Sequence, residues 1–242
     1  MGLGFQFRGR VLHKPTVTAL GNSKIIAHLH LPSSSRVVYA DPPDWPEMLV
    51  WQHELRKGEL FIDVGANIGL YSVLAAEHEA EVIAIEPIGH AGQKLRENLA
   101  LNGYDATVLE IALADRPGTM RIINRDTQSH LLINSEGGQE IAVDTLDNVL
   151  GNRTAHLKID VEGAERLVLE GAERALSEHR IRLMQLEWND TCVKLLGETR
   201  EPLIEYLTSF GYDLFRPDDV GVLIPDSKPK MGRDVFAKVR RR

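Results

Sequence analysis

The chain has 242 residues, 43% of them hydrophobic and 26% charged, ordinary globular proportions that exclude a disordered, collagenous or coiled-coil protein. Its 28 basic and 35 acidic side chains leave a formal charge of -7, which speaks against a nucleic-acid-binding surface spread over the whole molecule. Cys192 is the one cysteine, so no internal disulfide forms. With no apolar run of the ~18–20 residues that a membrane span needs, the expectation is a cytoplasmic protein without membrane contact.

Residues 1–57 read as an N-terminal flap. Lys24 to Leu31 alternates as a strand does and ends at Pro32. The turn cluster Asp41-Pro-Pro-Asp-Trp-Pro46 leads into a helix through Met48, Trp51 and Leu55 that stops near Gly58. From residue 58 to 242 the pattern is strand, turn, helix, repeated. Leu60–Val64 is a buried strand and Leu70–Glu79 a helix; Glu81–Glu86 is a second strand. A helix from about Ala91 to Leu101 stops at Asn102-Gly103, and Thr107–Leu113 is a third strand. Apolar strands alternating with helices predict a parallel sheet covered on both faces.

The alternation then breaks. Gly118–Ile123 and Glu140–Val143 read as a strand pair bridged by a polar loop. Parallel order resumes with the strand Ala155–Asp160, a helix over Glu162–Leu176, the strand Ile181–Glu187 and a helix over Glu201–Phe210. Tyr212–Phe215, Gly221–Ile224 and Val235–Val239 read as closing strands on short turns.

The most informative stretch is Phe61-Ile-Asp-Val-Gly-Ala-Asn-Ile-Gly69, a buried strand entering a glycine-bearing turn and then a helix. Gly65 and Gly69 allow close backbone approach to a ligand, Asn67 tolerates positive φ, and the helix start favours an anion. A dinucleotide site would need glycine at 65, 67 and 70, but Asn67 and Leu70 stand there. Asp63 would repel a pyrophosphate yet suits a ligand with an ammonium group, such as the methionine end of S-adenosylmethionine. Glu86 closes the next strand, where an acid accepts hydrogen bonds from both ribose hydroxyls of an adenosine cofactor. Ala112 and Leu113 would lie over the adenine, with Asp115 near its edge.

These motifs, with Glu86-Pro87, Ala112-Leu-Ala-Asp115 and above all Leu157-Lys-Ile-Asp-Val-Glu-Gly-Ala-Glu165, resemble the FkbM-type methyltransferases over roughly residues 58–240. The resemblance implies a class I, Rossmann-like α/β fold: a mostly parallel seven-stranded sheet with an antiparallel C-terminal end, plus the small N-terminal β/α appendage. It also implies O-methylation of hydroxyls on polyketides, sugars or glycans. The candidate cofactor-binding set is then Asp63, Gly65, Ala66, Asn67, Gly69, Ser72, Glu86, Pro87, Ala112, Leu113 and Asp160. The first forty residues lie outside the resemblance and are expected to shape the acceptor pocket.

A hydroxyl must lose its proton as it attacks the methyl group, which calls for a positioned base. Asp160 and Glu187 end neighbouring strands and are the candidates. The competing role for Asp160 is to cap the helix starting near Glu162; Glu162 and Glu165 read as helix N-terminal carboxylates, and Lys158 as a partner for the acids. No resident metal is expected; if one binds, Asp160, Glu187 and Asn189 are the oxygen ligands. His53 and His130 border the expected acceptor side without paired spacing. The expected partner is a small-molecule acceptor, with no nucleic acid and with a homodimer allowed. The alternatives are N- or carboxylate methylation, or a non-catalytic domain that binds an adenosine cofactor.

Overall fold

The computed structural model describes residues 14–28, 35–125, 128–132, 138–190, 197 and 199–240. In chain order its elements are β1 (Thr16–Leu20), β2 (Ser23–Ala27), α1 (Glu47–Glu54), β3 (Leu60–Val64), α2 (Leu70–Glu77), β4 (Glu81–Ile85), α3 (Gly89–Asn102), β5 (Thr107–Leu109), β6 (Ala112–Leu113), β7 (Gly118–Arg125) and β8 (Gln128–Leu132). There follow β9 (Gln139–Asp144), α4 (Leu146–Leu150), β10 (Ala155–Ile159), α5 (Glu165–Glu170), α6 (Glu173–Ser177), β11 (Ile181–Leu186), α7 (Glu201–Ser209), β12 (Tyr212–Pro217), β13 (Leu223–Pro225) and β14 (Val235–Val239).

The main sheet has eight strands in the order β13-β12-β14-β11-β10-β3-β4-β5. Strands β5, β4, β3, β10 and β11 are mutually parallel, whereas β14 pairs antiparallel with both β11 and β12. The expected count of seven is exceeded by the short edge strand β13, antiparallel to β12. Strand alternation separates two cores. Phe61, Val82, Ala84, Leu183 and Phe236 face α1, α2 and α3. Leu60, Ile62, Leu157, Ile159, Met184 and Ala237 face α4 to α7. Among the described residues no helix is long and apolar enough to cross a membrane.

Three expectations are corrected. The predicted third strand divides: β5 stays in the main sheet, and β6 joins a second, four-stranded sheet ordered β6-β9-β7-β8. The last ladder contact is Glu86 N–H to the Leu109 carbonyl at 3.0 Å; Pro87 has no N–H to continue it, and Ala112 and Leu113 pair with Val143 and Asp144 instead. The polar loop expected between β7 and β9 contributes strand β8. The single helix predicted over 162–176 is two, α5 and α6. Asp147 explains the break, since its carboxylate accepts the N–H groups of Arg174 and Ala175, each at 2.9 Å, and so caps α6 from outside.

The β1–β2 hairpin docks on α2 and α3. Ser23 Oγ donates to Glu77 at 2.6 Å, and Asn102 pairs with both Lys24 N–H and Lys24 C=O at 2.7 and 2.8 Å. Glu77 and Asn102 end their helices at the N-terminal edge of the parallel strands, the end opposite Asp160 and Glu187. These hairpin anchors are therefore remote from the expected acceptor side. The predicted strand from Lys24 to Leu31 ends at Ala27, and residues 29–34 lie outside the described residues.

Candidate active site

Strand β3 lies between β10 and β4, so the turn after Val64 emerges at the centre of the sheet's C-terminal edge. In open α/β sheets ligands bind at that edge. Gly65 and Ala66 anchor the turn by donating to the Ile85 carbonyl at 2.9 and 3.0 Å. Gly65 has φ 79, and a Cβ there would stand 1.9 Å from the Asp160 carbonyl oxygen. Gly69 has φ 87, with a Cβ position 2.2 Å from Leu95 Cδ1. Backbone packing therefore demands glycine at 65, and the left-handed backbone favours it at 69. Asn67 adopts φ 51, the left-handed conformation read from the sequence, and Ala66 is buried between these residues.

Glu86 closes the site on one side. It is 6% exposed, and its Oε2 and Oε1 accept the N–H groups of Asn67 at 2.8 Å and Ile88 at 2.9 Å. Burial pushes its carboxyl up to about 7 despite those two donors. Pro87 is half-buried beside it. Ala112 and Leu113 are both buried, in β6; Ala112 packs with Ile88 and Ala114, while Leu113 faces the α4–α7 core. Asp115 is exposed.

On the other side a polar row crosses the apolar sheet. Lys158 in β10 stands opposite Asp63 in β3 and Gln185 in β11. Asp63 is 1% exposed; its Oδ2 accepts from Ser72 Oγ at 2.6 Å, and its Oδ1 has no hydrogen-bond partner among the described residues. Burial raises its pKa, with Lys158 working against that rise. Lys158 Nζ donates to Asp160 Oδ2 at 2.9 Å and lies 4.7 Å over the Tyr71 ring. Burial disfavours the Lys158 ammonium, but Asp160, Asp63 and Asp234 together hold its pKa above the usual lysine value. Gln185 extends the row: its amide donates to Asp234 at 2.6 Å and to the Tyr71 hydroxyl at 3.1 Å, and its oxygen accepts from Trp51 Nε1 of α1.

Asp160 and Glu187 meet, as the strand order requires, and Glu162 joins them. One carboxylate oxygen from each lies within 4.8 Å of the others. Burial and then the charges of Asp160 and Glu162 push Glu187 up to about 10, and its Oε2 has no hydrogen-bond partner among the described residues. Burial and Asp160 push Glu162 to about 7. Asp160 does not cap a helix: α5 begins at Glu165, after Glu162 at φ 53 and Gly163 at φ 103 turn the chain. Glu162 is accordingly a member of the carboxylate group rather than a helix-terminal acid. Glu165, fully buried, accepts from Gly163 N–H at 3.0 Å and from Arg200 Nη1 at 2.7 Å.

Arg200 also donates to the backbone carbonyls of Glu187 at 3.0 Å and Asn189 at 3.2 Å. It thus ties the 160–165 turn to the end of β11. The carbonyl of Asn189, expected as a metal ligand residue, serves this clasp. His53 is exposed on α1 and joins none of these groups, while the side chain of His130 lies outside the described residues. Lys158 was expected to pair with the acids. Tyr71, Gln185, Asp234 and Arg200 were not anticipated. The legible signal for Gln185 was a polar residue inside a buried apolar strand; for the others no spacing marks them.

The model of the methyltransferase FkbM domain matches residues 63–214. The chain belongs to the FkbM methyltransferase family. It has the class I methyltransferase fold. Among curated relatives it is 28% identical over 200 residues to the AMB antimetabolite synthetase AmbE of Pseudomonas aeruginosa, covering 63% of this chain and 9% of that protein. It is 29% identical to a protein-L-isoaspartate O-methyltransferase of Methanoculleus marisnigri, covering 46% of this chain and 55% of the relative. The 31-O-demethyl-FK506 methyltransferase FkbM of Streptomyces tacrolimicus is 27% identical over 218 residues, covering 69% of this chain and 84% of that enzyme. The chain thus spans only part of the first two of these. Of solved structures, FkbM from Methylobacillus flagellatus shares the fold at TM-score 0.51 and 21% identity, covering 78% of this chain and 47% of that one. The T. thermophilus 16S rRNA methyltransferase RsmC, solved with AdoMet and guanosine, shares it at TM-score 0.51 and 16% identity, over 94% and 50%.

Proposed function

We propose that this methyltransferase modifies a hydroxyl group on a small molecule. The observation that carries the proposal is the pair of strand-end acids in unlike environments: Asp160 bound to the Lys158 ammonium, and Glu187 pushed up to about 10. A carboxyl held protonated beside a carboxylate paired with an ammonium can divide acid and base roles with it. Asp160 is the group to accept the hydroxyl proton. Glu187, protonated near neutral pH, donates a hydrogen bond that holds the acceptor oxygen.

When bound, S-adenosylmethionine supplies an electrophilic methyl group on a sulfonium. The residues fit it. Asp63 Oδ1, buried and unpartnered, suits the ammonium, and each Glu86 oxygen accepts one N–H here and retains a lone pair for a ribose hydroxyl. Gly65, Ala66, Asn67 and Gly69 would line the turn, with Ser72 holding Asp63; Pro87, Ala112 and Leu113 would flank the adenine. The name of the Streptomyces tacrolimicus relative, which describes an O-demethylated substrate, supports a hydroxyl acceptor. The negative net charge supports a partner that is not a nucleic acid, and the lone cysteine supports a cytoplasmic setting.

Incubating the enzyme with isotopically labelled S-adenosylmethionine and a panel of hydroxyl, amine and carboxylate compounds tests this. A mass gain of one methyl on oxygen is expected; transfer confined to amines or carboxylates would overturn it. The grouping of Asp160, Glu162 and Glu187 favours a second reading, a divalent cation bound between them. Undiminished turnover in excess chelator is expected if the carboxyls act directly, and loss restored by Mg²⁺ if a cation intervenes.

A further inference from the structure

Two asparagines one turn apart on α3 link the N-terminal hairpin to the body, and only one of them also reaches the glycine turn. Asn98 is 1% exposed. Its Oδ1 accepts the Ile26 N–H of β2 at 2.9 Å, and its Nδ2 donates to the Ile68 carbonyl at 2.8 Å. Ile68 stands between Asn67 at φ 51 and Gly69 at φ 87, so its peptide sits where the turn is most distorted. Asn102 makes hydrogen bonds to Lys24 N–H and C=O and to the Asn98 carbonyl, and none to the turn.

An amide has one accepting end and one donating end. The Ile26 N–H occupies the accepting end of Asn98 and thereby aims its NH₂ at Ile68. We propose that Asn98 is a positioning residue for the S-adenosylmethionine turn, and that the β1–β2 hairpin sets its orientation. Residues 23–27 then serve cofactor binding from the back of α3, although their anchors lie far from the acceptor side. A buried carbonyl left without its donor draws its peptide toward another partner. The peptide in question is two residues from Ala66 and one from Asn67, whose N–H holds Glu86. The inference rests on the placement of the cofactor at this turn.

Isothermal titration of S-adenosylhomocysteine into the full chain, with melting temperatures measured alongside, tests it. Asn98→Asp keeps the acceptor for Ile26 and removes the donor to Ile68. It should weaken binding by roughly threefold to tenfold, the scale of one hydrogen bond. Ile26→Pro, on the outer edge of the hairpin, removes the N–H that orients Asn98, along with a partly buried side chain, and should weaken binding in the same direction; it also serves if Asn98→Asp fails to fold. Asn102→Ala breaks the neighbouring dock and should lower the melting temperature while leaving affinity within about twofold. Unchanged affinity in Asn98→Asp and Ile26→Pro would overturn the inference alone, as would a loss in Asn102→Ala equal to theirs. Absence of binding by the unsubstituted chain would instead overturn the cofactor site, and this inference with it.

Discussion

Asp160 and Glu187 carry opposite expectations although both are acids at strand ends. Asp160→Asn keeps size and hydrogen bonding but removes the charge that Lys158 neutralises, so turnover should fall by about 10²–10⁴-fold, the contribution of a positioned base. Glu187→Gln replaces a carboxyl already held protonated, so it should cost far less, within about tenfold, unless a cation binds there. Steady-state kinetics of the two variants decides between these outcomes; equal losses would remove the division of roles. Glu86 gives a prediction in pH. Its folded pKa of about 7 lies above the ordinary 4.5, so the folded state binds that proton more tightly than the unfolded chain does. Its help to folding is complete below about pH 4.5 and is lost as pH rises to 7, by about 3 kcal/mol. Urea unfolding across that range should show a steeper loss for the unsubstituted protein than for Glu86→Gln. The left-handed Asn67 and the strand-end position of Glu86 were legible because residue type and place suffice for them. The crowding around Glu187 was not, since it arises from carboxyls brought together by the 160–165 turn and the end of β11.

At the scale of elements, Gly171 joins α5 to α6 with an ordinary φ of −74. Its constraint is contact rather than conformation: a Cβ would stand 2.1 Å from the Ala114 carbonyl oxygen, backbone that a flexible side chain's give cannot relieve. Gly171→Ala should therefore destabilise by about 1–3 kcal/mol, the cost of overpacking, where a Gly→Ala change in a free helix would stabilise. Thermal or urea denaturation gives the sign directly. The Arg200–Glu165 pair, 4% and 0% exposed, makes a parallel case. Arg200→Ala leaves a buried carboxylate unpaired and should cost about 3–5 kcal/mol. The parallel strands and the stop at Gly103 were readable because each is encoded within about ten residues. The division of 162–176 into two helices and the departure of β6 were not. Asp147 and β9, which cause them, arrive from elsewhere in the chain.

For the molecule as a whole, a charge of -7 sets its long-range behaviour. Fold neighbours such as RsmC act on RNA by name, but this chain should repel polyanions. A fluorescently labelled single-stranded RNA should show no binding at ~0.1 M salt; salt-sensitive binding would refute a small-molecule acceptor as the sole partner. The polar row Asp63–Lys158–Gln185 also bears on how the sheet finds one pairing. Strands β3 and β10 are buried at all five positions each, on both faces. Hydrophobic alternation, which usually distinguishes a correct register from one slipped by a residue, gives them almost no discrimination. A one-residue slip of β10 would set an aliphatic side chain opposite Asp63 and turn Lys158 into the α4–α7 core, away from Asp63 and Asp234. An ammonium and its strand-mate carboxylate forced into that apolar core cost more than a mismatch of aliphatic volume. The same lysine that serves the acids at the strand ends is thus a key that admits one alignment of the central strands, and an apolar replacement would leave the sheet free to assemble out of step.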